Sequence, residues 1–464
     1  MTGRRPIGAV DTIWLNMDRP DNLMVIDAVM WFDEPVDWDR LEHVLLTRLV
    51  ARYPVFSQRP VGGLPPLTSP HWEDDEDFAL SHHLCRVTLP APGDEAALQA
   101  YVESQAQRPL DRSRPLWEFH LIDGFGAGAA VLARFHHAMA DGIALAQVLL
   151  SLTDPSPTSD LEVPVEENVP APAGHGLLAA ASRVTGGATS AVRGSLHLLA
   201  DLPHLADPRR FADALTLAQQ TGHVMDKLLL GSLPATPLTG VPGVTKRAVW
   251  SAPHDLHAVK RIGRLSGATV NDVLVAAVSS SLSSYVLDRG GEAADLTTMV
   301  PVNLRPLDRP LPRELGNRFA LVLLPLPTGP YAPLLRLAEA KRRMDAIKTS
   351  PEAVLTFGLI TAIGRTSPEI ERLLVDFFSG KAFGVTTNVI GPRQVRYVAG
   401  TRLTGVLGWV PGSGHQTVGV SIFTYDRSVR VGFKVDAGVV THPEALVHGF
   451  DEALDELQRM AAAV

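Results

Sequence analysis

The stretch VLARFHHAMADG, residues 131–142, decides how the chain is expected to fold. Its first part alternates between two sets of side chains, which is typical of a β-strand whose successive residues point to opposite faces. Asp141 then precedes the apolar segment 143–152, and an aspartate in that position is typical of a helix N-cap. We therefore expect His136 and His137 to end a strand, with one ring facing a cavity and the other facing away from it.

The chain is expected to divide into two halves of similar size. Its 464 residues are too many for one ordinary core, and two domains of about 150 to 200 residues are the usual solution. The segment 154–174 is rich in Pro, Ser and acidic residues, which is typical of an exposed linker. We predict an N-terminal domain at 1–158, a Pro-rich and helical crossover at 159–243, and a C-terminal domain at 244–464.

Both halves mix strand and helix patterns, which indicates an α/β or α+β protein. Strands are predicted at 23–32, 117–122, 129–137, 246–251, 296–304, 319–326, 382–389, 417–425 and 429–435. Helices are predicted at 9–16, 96–106, 270–287 and 334–347, after Asp37, and from Pro443 onward. The helix after Asp37 and the last helix each carry an apolar stripe, so both should pack on a core.

Composition excludes several classes of protein. The net charge of −8 provides no basic field for nucleic acid. The single cysteine, Cys85, forms no intrachain disulfide, which fits a reducing compartment. The start of the chain lacks a signal-peptide pattern, and no apolar run reaches about 18 residues. We expect a cytoplasmic protein, with peripheral attachment to the inner membrane or to lipid droplets left open.

Six short phrases together resemble one protein family. HHAMADG at 136–142 matches the HHxxxDG signature of the CoA-dependent acyltransferase superfamily. PLW at 115–117, ND at 271–272, VNLRP with LGNR within 302–318, and TNVIGP at 387–392 resemble phrases of the bacterial wax ester synthase/diacylglycerol acyltransferase family. The resemblance implies two chloramphenicol acetyltransferase-like domains, with mixed sheets flanked by helices and joined by a helical crossover.

The motif residues are the candidates for catalysis. Imidazole titrates nearest to neutral pH, so His137 suits removal of a hydroxyl proton, and the resemblance likewise makes the second histidine the base. His136 is expected to support the strand from the opposite face. The resemblance implies that Asp141 binds an arginine beside the flexible Gly142, and that Asn271 lies near the site, where it could stabilise an oxyanion. The alternatives are a structural histidine pair and a simple helix cap.

Five further residues are candidates for substrate binding. Pro115, Leu116 and Trp117 form the PLW phrase, for which core packing is the alternative and favoured interpretation. Asn388 belongs to the TNVIGP phrase, which departs from the family's SNVPGP at two positions. Arg305 is a candidate partner for the aspartate of the HHxxxDG motif or for a CoA phosphate, and a surface arginine is the alternative.

The resemblance implies an O-acyltransferase. The donor would be acyl-CoA, used as a substrate without a further cofactor, and the acceptor a fatty alcohol or diacylglycerol, giving wax esters or triacylglycerol. No metal site is expected, because adjacent strand histidines diverge. The alternatives are a related enzyme that uses another alcohol, an amine or a carrier-protein thioester, and a lipid-binding paralogue without turnover. A serine hydrolase is disfavoured, since GxSxG is absent from the sequence.

Overall fold

The structure is a computed structural model of the chain. It describes residues 4–62, 70–159, 233–305, 310–348, 350, 352–364, 366 and 368–463. Most of the predicted crossover at 159–243 lies outside these residues, so its helical character stays a prediction. The positions of both predicted domains are largely covered.

The described residues form two large mixed sheets and one small sheet, all flanked by helices. The helices are α1 Ala9–Met17, α2 Trp38–Val44, α3 Glu95–Ala106, α4 Gly142–Ser151, α5 Leu256–Ser266, α6 Val270–Leu287, α7 Pro333–Lys348, α8 Glu352–Ile363, α9 Pro368–Ser379 and α10 Glu444–Ala462. The strands are β1 Arg5–Pro6, β2 Val25–Phe32, β3 Gln58–Val61, β4 His71–Asp74, β5 Leu84–Thr88, β6 Trp117–Phe125, β7 Gly128–His136, β8 Thr153–Asp154, β9 Lys246–Trp250, β10 His254–Asp255, β11 Leu296–Asn303, β12 Phe319–Leu326, β13 Gly384–Ile390, β14 Tyr397–Val398, β15 Thr401–Trp409, β16 Val418–Tyr425 and β17 Ser428–Asp436. This architecture confirms the predicted fold class.

The first sheet is built around the strand that carries the histidine motif. Its strand order is β5-β6-β7-β2-β15-β14-β8, so β7 lies between its hairpin partner β6 and the long strand β2. Every residue of β7 is buried. Gly124 and Gly126 in the β6–β7 turn have φ of 75° and 57°, a left-handed conformation that favours glycine. The hairpin thus delivers the end of β7 to a fixed place.

The second sheet holds the remaining long strands and packs against helix α6. Its order is β10-β17-β16-β13-β11-β12, with β9 also paired to β17, and β13 runs parallel to both β11 and β16. Helix α6 begins with a capping box in which Thr269 and Asp272 bond each other's backbone N–H. Among the described helices, α6 alone has the length and composition of a membrane span, yet 72% of its apolar window is buried inside the protein.

Two strands of the second half, β14 and β15, complete the first sheet. Strand β15 pairs antiparallel with β2, so that Leu407 faces Val29 and Trp409 faces Asp27 across the ladder. Gly432 of β17 gives room to this strand, because a Cβ there would lie 2.6 Å from the Leu407 side chain. The two halves of the chain therefore share the first sheet.

The sequence predicted most of the long elements and missed several that depend on tertiary contacts. The predicted bounds of α6 and β12 agree with the structure, and most other predicted elements deviate by one or two residues. Strand β15 and helices α8 and α9 were not predicted. Helix α8 is apolar all round, so it lacks the period that marks an amphipathic helix, whereas β15 is defined by its pairing with β2.

Candidate active site

A large cavity lies between the two halves and beside the end of β7. Its walls enclose about 1200 Å³ of space, part of which is open to solvent. The first half contributes Trp14, Ile26, Ala28, Phe135, His137, Leu145 and Leu149, and the second half Met299, Phe319, Thr387, Asn388, Trp409 and Phe423. Most of these side chains are apolar, so the cavity suits an apolar ligand with few polar contacts.

His137 is the ionisable ring on the wall of this cavity. It follows β7 directly, and its backbone N–H donates to the Met24 carbonyl at 2.7 Å. The imidazole stacks on the Trp14 indole with ring centroids 4.1 Å apart, and Phe319 lies 5.9 Å away. Its Nδ1 atom is buried without a hydrogen-bond partner among the described residues. We infer that Nε2 is the nitrogen available to a ligand.

Burial keeps the His137 ring uncharged. It lowers the pKa of His137 from the usual 6.5 to about 4, although the charge of Asp141 and contacts with the His137 carbonyl and Asn317 oppose this effect. The imidazole is therefore neutral at physiological pH, and a neutral imidazole can accept a proton.

His136 points to different surroundings, as the alternation predicts. Its Nδ1 accepts from the Ala138 N–H at 3.1 Å, and its Nε2 lies 3.5 Å from Asp18 Oδ2. Burial lowers the pKa of His136 and the hydrogen bond and charge of Asp18 oppose this. His136 does not line the cavity, and its contacts support the turn that carries His137.

Asp141 lies on the cavity wall and joins the two halves of the chain. Its Oδ1 accepts from the Ala144 N–H at 2.9 Å, which caps helix α4 as the sequence predicts. Its Oδ2 accepts from the Arg318 N–H at 3.0 Å and from Arg305 Nη1. Arg305 also donates to the Gly316 carbonyl. The structure thus assigns Arg305 to Asp141, one of the alternatives that the sequence left open.

Gly142 is the first residue of α4 and lies on the cavity wall. A Cβ at this position would lie 2.9 Å from Val410 Cγ1. A larger residue would therefore displace Val410, which lines the same cavity. Gly142 serves close packing at the cavity wall.

Asn388 and Asn271 meet at the second half's side of the site. Asn388 Nδ2 donates to Asn271 Oδ1 at 2.5 Å. Asn388 lines the cavity, whereas Asn271, near the start of α6, stands behind it. Asn388 Oδ1 is buried without a partner among the described residues. The two asparagines, which were named from separate phrases of the sequence, therefore form one hydrogen-bonded pair.

The PLW phrase lies behind the cavity wall. Trp117 and Leu116 are buried in the first core, and Trp117 Nε1 donates to the Phe56 carbonyl at 2.8 Å. The His83 ring stacks on Trp117 with centroids 4.4 Å apart. Neither these residues nor Pro115 lines the two large apolar cavities beside His137. The geometry supports the packing interpretation that the sequence analysis favoured, and substrate contact by these three residues stays a prediction.

Sequence reasoning missed three residues that surround His137. Trp14 and Asp11 lie on α1, which was predicted only as a short helix. Asn317, within the quoted LGNR phrase, was given no role, yet its Nδ2 donates to the His137 carbonyl and to Asp11 Oδ1, both at 2.7 Å. A tryptophan and an aspartate three positions apart share a helix face, but this signal does not reveal what the face touches.

A second apolar cavity, of about 710 Å³, adjoins the first. Its wall is formed by Val10, Ile13, Trp14, Met17, Phe319, Leu321, Leu359, Ile360, Val375 and Phe378, among others. Trp14 and Phe319 line both cavities. The two aromatic rings that flank His137 thus stand at the boundary between two apolar spaces.

The site has no group of side chains typical of a metal centre. In the part of the chain that the structure describes, no three His, Cys, Asp or Glu side chains converge to hold a metal ion. His136 and Asp141, the nearest candidates beside His137, are directed to Asp18 and Arg305.

The Asp141–Arg305 contact leads to a prediction on stability. Replacing Arg305 by Leu leaves a buried carboxylate without its partner, so we expect a loss of about 3 kcal/mol in the free energy of unfolding. Asp141→Asn combined with Arg305→Leu should recover most of this loss, because the charge is then absent. Urea unfolding of the wild type, both single variants and the double variant measures the interaction free energy between Asp141 and Arg305. Losses of stability that simply add in the double variant would contradict the prediction.

Comparison with known proteins agrees with these observations. The family model described as the wax ester synthase/diacylglycerol acyltransferase catalytic domain matches residues 7–274, and that of the WS/DGAT C-terminal domain matches residues 315–458. A putative diacylglycerol O-acyltransferase of Mycobacterium tuberculosis is 27% identical, over 97% of this chain and 89% of the relative.

Two solved structures have a similar fold. The wax ester synthase/diacylglycerol acyltransferase from Marinobacter aquaeolei VT8 matches 99% of this chain and 100% of that chain, with a TM-score of 0.69 and 19% identity. The starter condensation domain of rhizomide synthetase, in complex with C8-CoA and Leu-SNAC, matches 99% of this chain and 94% of that domain, with a TM-score of 0.57 and 16% identity. The catalytic-domain model alone matches more than half of the residues of the present chain. The chain therefore belongs to the wax ester synthase/diacylglycerol acyltransferase family.

Proposed function

We propose that this member of the family transfers a long-chain fatty acyl group from acyl-CoA to the hydroxyl group of a fatty alcohol or diacylglycerol. The products would be wax esters or triacylglycerol. The observation that carries the proposal is the buried His137 ring on the wall of a large apolar cavity. The names of the mycobacterial relative and of the Marinobacter structure support the same substrates.

His137 would act as the general base. Its Nε2 accepts the proton of the acceptor hydroxyl while the hydroxyl oxygen attacks the thioester carbon. The C–S bond of the resulting tetrahedral intermediate then breaks, and the imidazolium returns the proton to the CoA sulfur. No further cofactor is needed, because the thioester already carries the acyl group in an activated form and the thiolate is a good leaving group.

The Asn388–Asn271 pair is the candidate for stabilising the oxyanion. Amide donors at the place where negative charge develops lower the barrier of acyl transfer. Asn388 lines the cavity, and its Nδ2 donates one hydrogen to Asn271 Oδ1 at 2.5 Å, which leaves the second hydrogen for the oxyanion. Asn271, which the resemblance placed near the site, would therefore act through Asn388.

The two cavities suit a reaction between two apolar chains. They meet at Trp14 and Phe319, beside the ring of His137. One chain in each cavity would place the thioester and the hydroxyl near the imidazole, where proximity alone lowers the barrier. The C8-CoA complex of the structurally similar condensation domain is consistent with a CoA thioester as donor.

Peripheral contact with a lipid surface is part of the proposal. Helix α9 lines the second cavity with Val375 and Phe378, while Ile370, Leu373 and Phe377 are 49%, 72% and 43% exposed on its other side. Exposed apolar side chains in such a row are typical of an interaction surface. A lipid surface against this helix would bring insoluble acceptors next to the second cavity.

The role of His137 is tested with purified protein and radiolabelled palmitoyl-CoA. Hexadecanol and diacylglycerol are offered side by side, and a carrier-protein-bound palmitoyl thioester replaces the CoA donor in parallel. We expect ester from the CoA donor, and a loss of about 10²- to 10⁴-fold in kcat for His137→Ala with the fold retained.

His254→Ala serves as a control, because His254 contacts Asp451 on the second sheet's outer side at 2.8 Å. It should keep near-normal activity. Substantial transfer by His137→Ala would refute the general-base role. Turnover with the carrier-bound donor alone would refute the choice of donor, and lipid binding without any turnover would favour the non-catalytic alternative.

The pH dependence of kcat/KM follows from the lowered pKa of His137. A base must be deprotonated, and in the free enzyme this ring gains its proton only near pH 4 rather than near 6.5. We therefore expect kcat/KM to stay level between about pH 8 and pH 6 and to fall only at lower pH. A loss of activity with an inflection near 6.5 would show a ring that is more exposed to water.

Binding to a lipid surface is tested by sedimentation with phosphatidylethanolamine/phosphatidylglycerol vesicles. Leu373→Ser removes the most exposed apolar side chain of α9 and should lower the bound fraction about threefold or more. Leu265→Ser, at a leucine that is 53% exposed on α5, is the matched control and should bind like the wild type. Equal binding of both variants, or no binding by the wild type, would remove α9 as the contact.

A further inference from the structure

Helix α1 contacts His137 directly through Trp14 and indirectly through Asp11, which binds Asn317. Trp14 stacks on the imidazole with ring centroids 4.1 Å apart. Asp11, one turn earlier on the same helix, is buried and lies 306 positions away in sequence from its partner Asn317. This second contact belongs to no part of the acyl-transfer scheme described above, and a buried carboxyl group without a role is costly to keep.

Asn317 connects Asp11 to the histidine. Its backbone N–H donates to Asp11 Oδ1 at 2.8 Å. Its Nδ2 donates to the same Asp11 oxygen at 2.7 Å and to the His137 carbonyl at 2.7 Å. Both hydrogens of the amide nitrogen are therefore used, one by each acceptor.

These contacts allow one orientation of the amide. If the Asn317 side chain were rotated by half a turn, its oxygen would face the Asp11 carboxylate and the His137 carbonyl, which are both acceptors. In the observed orientation Asn317 Oδ1 is left over, and it is buried without a partner of its own. The Nδ1 atom of His137 is likewise buried without a hydrogen-bond partner among the described residues.

Asn317 acts on the backbone that carries the imidazole. Its bond to the His137 carbonyl holds the peptide group next to the ring, and the stacked Trp14 indole restricts the ring itself. These two contacts, with the second half and with helix α1, determine where the His137 ring lies in the cavity.

We infer that Asp11 is a positioning residue. By holding the Asn317 amide against the His137 carbonyl, it keeps the His137 ring in the place in which Nε2 accepts a proton from the substrate. The inference rests on the proposed function of His137 and deepens it. Asp11 itself touches neither of the reacting groups.

The surroundings of Asp11 fit a carboxylate in this place. A Cβ at Gly8 would lie 2.9 Å from Asp11 Oδ2, and one at Gly316 would lie 3.2 Å from the same atom. Two glycines thus leave space for the carboxyl group on both sides. Burial raises the pKa of Asp11 to about 6, opposed by the hydrogen bonds from Asn317 and the charge of Arg5.

The inference is tested by steady-state kinetics of acyl transfer on a set of variants. Asp11→Ala frees the Asn317 amide and should lower kcat about 10- to 100-fold with KM within about twofold, because the base is misplaced while the cavities are intact. Asp11→Asn keeps an acceptor oxygen and should retain kcat within about threefold. Asn317→Ala should lower kcat as Asp11→Ala does, and the double variant should be no worse than Asn317→Ala alone.

A swapped pair covers the case in which Asp11→Ala does not fold. Asp11→Asn with Asn317→Asp keeps a hydrogen bond between the two side chains but places an acceptor beside the His137 carbonyl. We expect its Tm to exceed that of Asn317→Asp alone while kcat stays low. Recovery of kcat together with Tm would overturn the inference, since the pair would then act through stability.

Asn16→Ala is the matched control on the same helix. Asn16 donates to Glu371 at 2.9 Å and has no contact with the histidine, so this variant should lose stability without losing kcat. Wild-type kcat in Asp11→Ala, additive losses in the double variant, or an equal loss in Asn16→Ala would each overturn the inference. If His137→Ala remained active, the proposed function would fail instead, so the two failures are distinguishable.

Discussion

A proton acceptor that is buried in an apolar cavity has to be uncharged and fixed in place, and the structure around His137 meets both conditions. Burial lowers its pKa to about 4, so the ring is neutral where water is excluded. The stacked Trp14 ring and the hydrogen bond from Asn317 to the backbone carbonyl restrict its movement. A ring left free or charged in this cavity could not serve as a base.

The contacts that fix the ring come from both halves of the chain. Arg305 and the loop at Asn317 belong to the second half, while Asp141 and His137 belong to the first. Strand β15 also connects the two halves, since it belongs to the second half of the chain but pairs with β2 in the first sheet. The site therefore exists only when the halves are packed together, and the cavities between them are part of the same arrangement.

The sequence predicted those features that depend on local pattern. Alternation placed the two histidine rings in different surroundings, and Asp141 before an apolar run predicted the N-cap of α4. Residues that meet from distant parts of the chain were missed, because pattern does not specify a partner. Asp11 binds Asn317, which lies 306 positions away in the sequence. Strand β15 is defined by its pairing with β2. Core packing was the favoured interpretation of Trp117, but its partners, the Phe56 carbonyl and the His83 ring, could be identified only from the structure.

The neutral state of His137 can be observed directly. Histidine-labelled protein is titrated by ¹⁵N NMR, and the signal that is absent from His137→Gln is assigned to this ring. The account predicts a neutral ring with its proton on Nδ1, which remains uncharged as the pH is lowered through 6.5 and gains a proton only near the value of about 4 that burial gives it. A ring that titrates near 6.5, or that carries its proton on Nε2, would contradict the account.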